Sequence, residues 1–483
     1  MSKNLASVDL IDRGARRWPE AVALASRHTA WTYRDLHHAV EATGRRLQDV
    51  GIGAETRVAL HAARTPATIV ATWALWRIGA VVVPLNRRWP VPAALRAARG
   101  ARTVTWLADD DGVVDAARDA EEEAGHRLDA VVDQGNEGVV DPAAPPPLPP
   151  ARSATIVFTS GTTGAPKGVL HTWRNHVASA AGSNTNIPVS PGDRWLLSLP
   201  LYHVGGLAIL VRCALGGGTV VVPSDDASLS DTLADRRVTH ASLVATQLRR
   251  LLEADAEHPS SMRALLVGGG PVPFDLLEAA HARGWPLHTT YGCTEMASQV
   301  TTTPPGATLD TLLTAGRILP HRRLRIANDG EILVAGATLC RGYADGERLD
   351  DPRNANGWYP TGDLGRLDAQ GRLRVEGRKD HMFVSGGENV QPEFIEETLH
   401  AHPDVAAAVV VPVADDEFGH RPVAFVRTTG APVSPDALRT HCRSTLPAFM
   451  VPDHIVPMPD DVTASIKVDR RALQERARRH DGT

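Results

Sequence analysis

The sequence predicts an α/β protein: a large N-terminal region of several subdomains, with mostly parallel sheets flanked by helices, and a small α+β unit at the C-terminal end. Three observations point there. Helical and extended signals alternate over residues 30–140 and again over 193–267. After Gly316 the extended runs become short and turn-linked. Residues 381–483 then carry a helix–strand–strand–helix pattern of their own.

The elements follow in order. Ala67 to Ile78 is apolar on nearly all sides and reads as a buried helix. It leads into the extended run Ala80 to Pro84, rich in valine. Pro142 to Pro150 is a stiff, extended surface connector, a loop rather than a domain boundary because the α/β alternation resumes after it. Thr155 to Phe158 is a short buried strand. Strands and helices alternate again through Trp195–Leu199, Thr219–Val222, Ala241–Leu252 and Ala264–Val267, and Glu331 to Val334 is a strand of the turn-rich part. Pro392–His400 and Pro435–Leu446 read as helices, Val405–Pro412 and Val423–Arg427 as strands. A chain of 483 residues exceeds one ordinary core, so two or three domains are expected, with no internal repeat.

Composition excludes several classes. Apolar residues make up 43%, enough for a sizeable core, and a net charge of −5 gives no sign of a nucleic-acid partner. No apolar run approaches the roughly 18 residues of a spanning helix, and the first residues carry no secretory signal. The four cysteines, Cys213, Cys293, Cys340 and Cys442, are scattered without a CxxC, which predicts neither a zinc site nor a disulfide framework and fits a reducing, cytoplasmic location. Of the 51 lysines and arginines only four are lysine: Lys3, Lys167, Lys379 and Lys467. A surface needs only charge, which arginine supplies; a site needing a compact, flexible ammonium does not accept a planar guanidinium equally well. The retained lysines are therefore candidates for chemistry, with chance as the plain alternative for each.

Thr159-Ser160-Gly161-Thr162-Thr163-Gly164, with Lys167 three residues on, follows the strand at 155–158 directly. Glycines let backbone N–H groups turn inward, hydroxyls add donors and Lys167 adds a cation: a cradle for polyphosphate. The spacing is not that of a Walker A loop, and a flexible Ser/Gly/Thr loop is the plain alternative. Gly268, Gly269 and Gly270 end the strand 264–267 with no side chain to block close approach. Tyr291, Gly292, Thr294 and Glu295 bring together an aromatic face, a hydroxyl donor and a hard oxygen ligand suited to Mg2+. Asp363, before Leu364, suits a turn as well as it suits two ribose hydroxyls.

The loop at 159–168 resembles the signature of the adenylate-forming superfamily, which includes acyl-CoA synthetases, peptide-synthetase adenylation domains and luciferases. Further signatures appear in the expected order, so the resemblance spans essentially the whole chain. It implies an enzyme, an acid–thiol ligase that uses ATP and Mg2+ to make an acyl-adenylate and then passes the acyl group to coenzyme A. Transfer to a carrier-protein thiol stays open. By the same resemblance, adenine lies against Gly268–Gly270 and Tyr291, Thr294 faces a phosphate, Glu295 holds the metal, and Asp363 with Arg378 holds the ribose. Residues 1–378 form the N-terminal domain, 379–380 the hinge with Asp380 as pivot, and 381–483 a mobile C-terminal domain. Lys379 reads equally as a solvated neighbour. Gly386 and Gly387 leave room for the pantetheine arm of CoA. Lys467 is the implied adenylation lysine, stabilising negative charge as the α-phosphate is attacked; Ile466 stands before it where most members have glycine.

The implied partners are a small carboxylic acid, ATP and CoA, with no nucleic acid and no membrane insertion; a homo-oligomer is left open. Tyr202-His203 stand where amino-acid-activating members carry an acidic residue, so the acid is not an amino acid. In related aryl-CoA ligases the position of His203 gates the passage between the acyl and thiol tunnels; a packed core histidine is the alternative. Segments 198–210, 239–248, 411–424 and 466–473 are similar to 2-succinylbenzoate–CoA ligases of menaquinone biosynthesis. That similarity implies Arg212 for the acid's second carboxylate, with Ser298, Thr294 and Gly292 beside the acyl group. Another aryl- or medium-chain acyl-CoA ligase, and an adenylate-binding scaffold without catalysis, are the alternatives.

Overall fold

The computed structural model describes residues 7–103, 105–119, 124–132, 149–159, 167–224, 226–345, 348–385, 388–415, 418–430, 433–459 and 468–480. Among them, two large sheets build the N-terminal part. One has eight strands. Its parallel centre runs Ser153–Thr159, Val81–Pro84, Arg57–His61, Thr105–Ala108, Ala124–Arg127. Lys167–Thr172, Gly342–Asp345 and Arg348–Asp350 extend it antiparallel on the Ser153–Thr159 side. The other has nine strands, with a parallel centre of Val22–Ala25, Thr219–Val221, Arg194–Leu196, His240–Leu243, Ala264–Val267 and Leu287–Cys293. Ser298–Thr302 and Arg317–Ile318 add antiparallel strands at one end and Ala30–Thr32 at the other.

Parallel centres buried on both faces need apolar helices against them. Pro66–Ile78, Trp173–Asn186 and Val204–Gly216 fill that role, and one core cluster runs through all three. Trp73, Trp76 and Trp173 meet edge-on or tilted at 5.1 to 6.1 Å between ring centres. A four-stranded antiparallel sheet, Arg322–Ile326, Glu331–Gly336, Tyr359–Leu367 and Leu373–Arg378, follows. The C-terminal unit has its own core, with Ile395, Leu399, Val410, Ala424 and Leu438 between helices and the sheet of Val405–Asp415, Gly419–Thr428 and His454–Pro457.

The α/β expectation therefore holds at the centres of both large sheets, while their edges and the third sheet are antiparallel. Several boundaries differ from the sequence reading: most expected strands run a few residues longer, as Ser153–Thr159, Glu331–Gly336, Val405–Asp415 and Gly419–Thr428 do, and three elements end or divide differently. The strand expected over 195–199 ends at Leu196, because Arg64 Nη1 takes the carbonyls of Leu197 (3.0 Å) and Ser198 (2.9 Å) out of the sheet. The run 241–252 is a strand to Leu243 and a helix, Ala245–Glu253, started where Gln247 accepts the Val244 amide at 3.1 Å. The helix from Pro435 stops at Arg443, not Leu446. Most of the proline-rich connector, 142–148, lies outside the described residues. Among the described residues no helix is long and apolar enough to cross a membrane. All four cysteines are free.

Candidate active site

The proposed ribose carboxylate sits where the third sheet meets the nine-stranded one. Gly362 adopts φ +74° and donates its amide to Glu331 Oε1 at 2.9 Å, which turns the chain before Asp363. Asp363 accepts from the Tyr291 hydroxyl at 2.6 Å and from Arg378 Nη1 at 3.0 Å. Burial still pushes the Asp363 carboxyl above its ordinary range despite those two partners. The remaining face of Arg378 binds Asp380 with two bonds, 2.8 and 3.0 Å. Those bonds hold Asp380 below the usual carboxylate range against the effect of burial. One guanidinium thus joins the carboxylates expected at the ribose and at the hinge. Lys379 turns away, to Asp329 at 2.7 Å and Glu331 at 3.1 Å, and is exposed: the solvated-neighbour reading fits it.

Thr294 and Glu295 lie in a single 3-10 turn, Thr294–Met296, after the strand Leu287–Cys293. His171 fixes this turn by donating Nε2–H to the Thr294 carbonyl at 2.7 Å. Glu295 is buried, and the Tyr343 hydroxyl donates to its Oε1 at 2.9 Å while also reaching the Tyr359 hydroxyl at 3.2 Å. Lys167 Nζ stands 5.5 Å from the centre of the Tyr343 ring. Tyr343 therefore touches both the proposed metal ligand and the proposed phosphate-loop lysine. No motif spacing pointed to Tyr343, Tyr359 or His171; only strand pairing brings the first to Lys167, through Tyr343 opposite Val169. Thr159 and Lys167, the two ends of the loop, pair with each other. Ser160, Gly161, Thr162, Thr163, Gly164, Gly386, Gly387 and Lys467 lie outside the described residues.

Two of the three glycines expected to admit adenine have geometric reasons to be glycine. A Cβ at 268 would stand 2.5 Å from Thr290 Cγ2, and Gly269 has φ +87°. Gly270 faces open space. A Cβ at 292 would stand 2.1 Å from the Ser298 carbonyl oxygen, so the strands carrying Tyr291 and Ser298 approach at a spacing that excludes any side chain there.

His203 caps the helix Val204–Gly216 from an exposed position, its ring 4.8 Å from that of Tyr202; it is not a packed core histidine. Two turns into that helix, Arg212 is 1% exposed. Its Nη2 donates to Gln299 Oε1 at 2.7 Å and reaches Ser298 Oγ at 3.3 Å, and its guanidinium lies over Trp195 at 5.2 Å. Its Nε has no partner. No carboxylate pairs with it among the described residues, and burial pushes its pKa down to about 10, so it remains a cation at neutral pH. A buried guanidinium without a counter-ion is expensive, and an anionic ligand group offsets that cost.

No cluster of three or more His, Cys, Asp or Glu side chains suited to a metal occurs among the described residues. A single carboxylate such as Glu295 fits Mg2+, which keeps its waters and takes phosphate oxygens in preference to a protein cage.

The chain matches the family model described as AMP-binding enzyme over residues 11–344, and that of the AMP-binding enzyme C-terminal domain over 394–467. It is 36% identical over 471 residues to a 2-succinylbenzoate–CoA ligase of Bacillus cereus, covering 95% of this chain and 96% of that one. It superposes on o-succinylbenzoate CoA synthetase of Bacillus subtilis in complex with the acyl-adenylate intermediate, with TM-score 0.87, 31% identity, and 96% and 98% of the two chains covered. The same Bacillus subtilis protein in complex with ATP and magnesium ion gives TM-score 0.84 at 30% identity, covering 93% and 95%.

Proposed function

The chain belongs to the AMP-binding enzyme family, and from that premise we propose that it is an ATP-dependent 2-succinylbenzoate–CoA ligase. The observation that carries the acid is Arg212: a buried cation without a carboxylate partner among the described residues, bonded to Ser298 and Gln299. 2-Succinylbenzoate has two carboxylates. The one on the aliphatic arm reacts; the one on the ring stays charged and neutralises Arg212.

In the first step an oxygen of the aliphatic carboxylate attacks the α-phosphorus of ATP, and the bond to the β-phosphate oxygen breaks, releasing pyrophosphate. Lys167 and the loop at 159–164 hold the phosphates, Thr294 donates to one, and Lys467 stabilises the charge that builds on the α-phosphate. Mg2+, held by Glu295, supplies charge neutralisation on the phosphates. Asp363 and Arg378 hold the ribose, Gly268, Gly269, Gly270 and Tyr291 border the adenine, and Gly292 lies beside the acyl group. In the second step the CoA thiolate attacks the acyl carbon and AMP leaves. Residues 381–483 rotate about Asp380 between the steps, bringing Gly386 and Gly387 to the pantetheine arm, with His203 at the passage between the tunnels. Solved relatives with ATP and magnesium and with the acyl-adenylate support this order.

The test is a panel of acids in a CoA-dependent assay of AMP release. 2-Succinylbenzoate is expected to have the highest kcat/KM; a benzoate or medium-chain acid above it sinks the reading. Arg212→Ala is expected to lower kcat/KM for 2-succinylbenzoate by about a hundredfold and for benzoate far less. Equal losses remove Arg212 from the acyl pocket. Acid-dependent ATP–pyrophosphate exchange separates an enzyme from a scaffold.

A further inference from the structure

Arg322 opens the four-stranded sheet and lies in the seam between the helix Trp173–Asn186 and the strand Ser298–Thr302. It is 6% exposed. Its Nε donates to the Gln299 carbonyl at 2.8 Å, its Nη1 to the Pro320 carbonyl at 2.8 Å, and its Nη2 to the carbonyl and hydroxyl of Ser179, both at 3.1 Å. No carboxylate pairs with it among the described residues, and burial with the nearby charge of Arg212 brings its pKa down to about 9. A well-packed apolar side chain would close such a seam at lower cost. Yet space is reserved for the guanidinium: a Cβ at Gly182 would stand 2.0 Å from its Nη1 and 2.5 Å from the Pro320 carbonyl oxygen.

The groups that Arg322 binds lead to the acid site. Gln299, held by its carbonyl, receives Arg212 on its side-chain oxygen at 2.7 Å. Ser179, held by both oxygens, donates its hydroxyl to the Ala297 carbonyl at 2.6 Å. Ala297 and Ser298 follow with φ of +53° and +108°, a backbone that side chains other than glycine adopt only when their surroundings enforce it. Ser298 is the second hydrogen-bond partner of Arg212. Both side-chain partners of Arg212 are thus fixed by Arg322, one directly and one through Ser179.

We infer that Arg322 is a positioning residue for acid specificity: it locks Ala297–Gln299 so that Arg212 faces the acid's non-reacting carboxylate, and it adds a second buried positive charge that the same carboxylate offsets. This rests on the reading of Arg212 given above. The consequence is a site tuned to a dicarboxylate by two guanidinium groups, only one of which touches it.

The experiment measures kcat and KM for 2-succinylbenzoate and for the same acid without its ring carboxylate, in wild type, Arg322→Met, Arg322→Lys, Arg212→Met and the double variant Arg212→Met/Arg322→Met. Tm and the KM for ATP report the fold. Arg322→Met is expected to raise the KM for 2-succinylbenzoate about tenfold, with less than about threefold change in its kcat or in kcat/KM for the mono-acid. Arg322→Lys, which keeps the charge, recovers part of the loss. On the Arg212→Met background, Arg322→Met adds less than about twofold, since it acts through a group already gone. Equal losses on both acids, or additive losses in the double variant, overturn the inference alone. A wild type that does not prefer the dicarboxylate overturns the Arg212 reading and the inference with it. If Arg322→Met does not fold, Ser179→Ala, which removes one of the four bonds, is expected to give the same selectivity in weaker form, about threefold, and its absence overturns the inference.

Discussion

The Tyr291 hydroxyl donates to Asp363 at 2.6 Å. Tyr291 lies on a strand of the nine-stranded sheet and Asp363 on a strand of the four-stranded one, so this bond ties two sheets together at the proposed ribose position. The second oxygen of the carboxylate accepts from Arg378 at 3.0 Å.

Asp363→Asn is expected to raise the KM for ATP by about tenfold or more, because a charged acceptor is lost. Its effect on stability has the opposite sign. Burial holds the Asp363 pKa in the fold above its unfolded value, so the fold favours the neutral acid. That contribution is complete below the unfolded value of about 3.9 and is lost as pH rises through the folded one. Asparagine is neutral throughout, so Tm at pH 7.5 should rise and the gain should fade toward about pH 4. A lower Tm at pH 7.5 would show that the ion pair with Arg378 outweighs burial.

Tyr343→Phe removes the donor that holds Glu295 Oε1 at 2.9 Å. The magnesium concentration for half-maximal rate should rise about three- to tenfold at fixed ATP. The rate at saturating magnesium should stay within about threefold, since the carboxylate itself remains. A magnesium titration that superposes on that of wild type rules out this role.

His171 and His240 are buried and neutral, each with a pKa pushed down to about 4 by burial. Histidine in the unfolded chain titrates near 6.5, so below that pH the unfolded state takes up protons that the fold refuses. Stability should be full above about pH 6.5 and fall toward pH 4, by about 1.4 kcal/mol per pH unit for each histidine at the steepest part. Urea unfolding against pH checks this. His171→Gln, whose amide can still reach the Thr294 carbonyl, should remove about one proton from the slope; an unchanged slope contradicts the assignment.

What was legible in the sequence was local. The strand at Ala264–Val267 and the helix Pro392–His400 match their expected limits, because a short apolar run closed by glycines and an N-terminal proline carry their own signals. Tyr291, Asp363, Arg378 and Asp380 were found by motif, and the structure joins them by direct bonds. Tyr343 and Arg322 were invisible for the converse reason. Tyr343 meets Lys167 through antiparallel pairing of strands far apart in the chain and Glu295 by a side-chain bond across 48 positions, and Arg322 meets Ser179 across 143 positions. Neither partner lies at a spacing a single sequence displays. Lys379 shows the limit of the lysine census: it is one of four, yet it serves an exposed ion pair.

A point charge has no width, and a guanidinium does. Arg378 spans from Asp363 on one side to Asp380 on the other with donors fixed in one plane. An ammonium in its place could satisfy one carboxylate or the other. The proposed ribose carboxylate and the proposed pivot thus share a single rigid plate, so on that proposal thermodynamic reciprocity makes any rotation at Asp380 change how tightly the ribose is held.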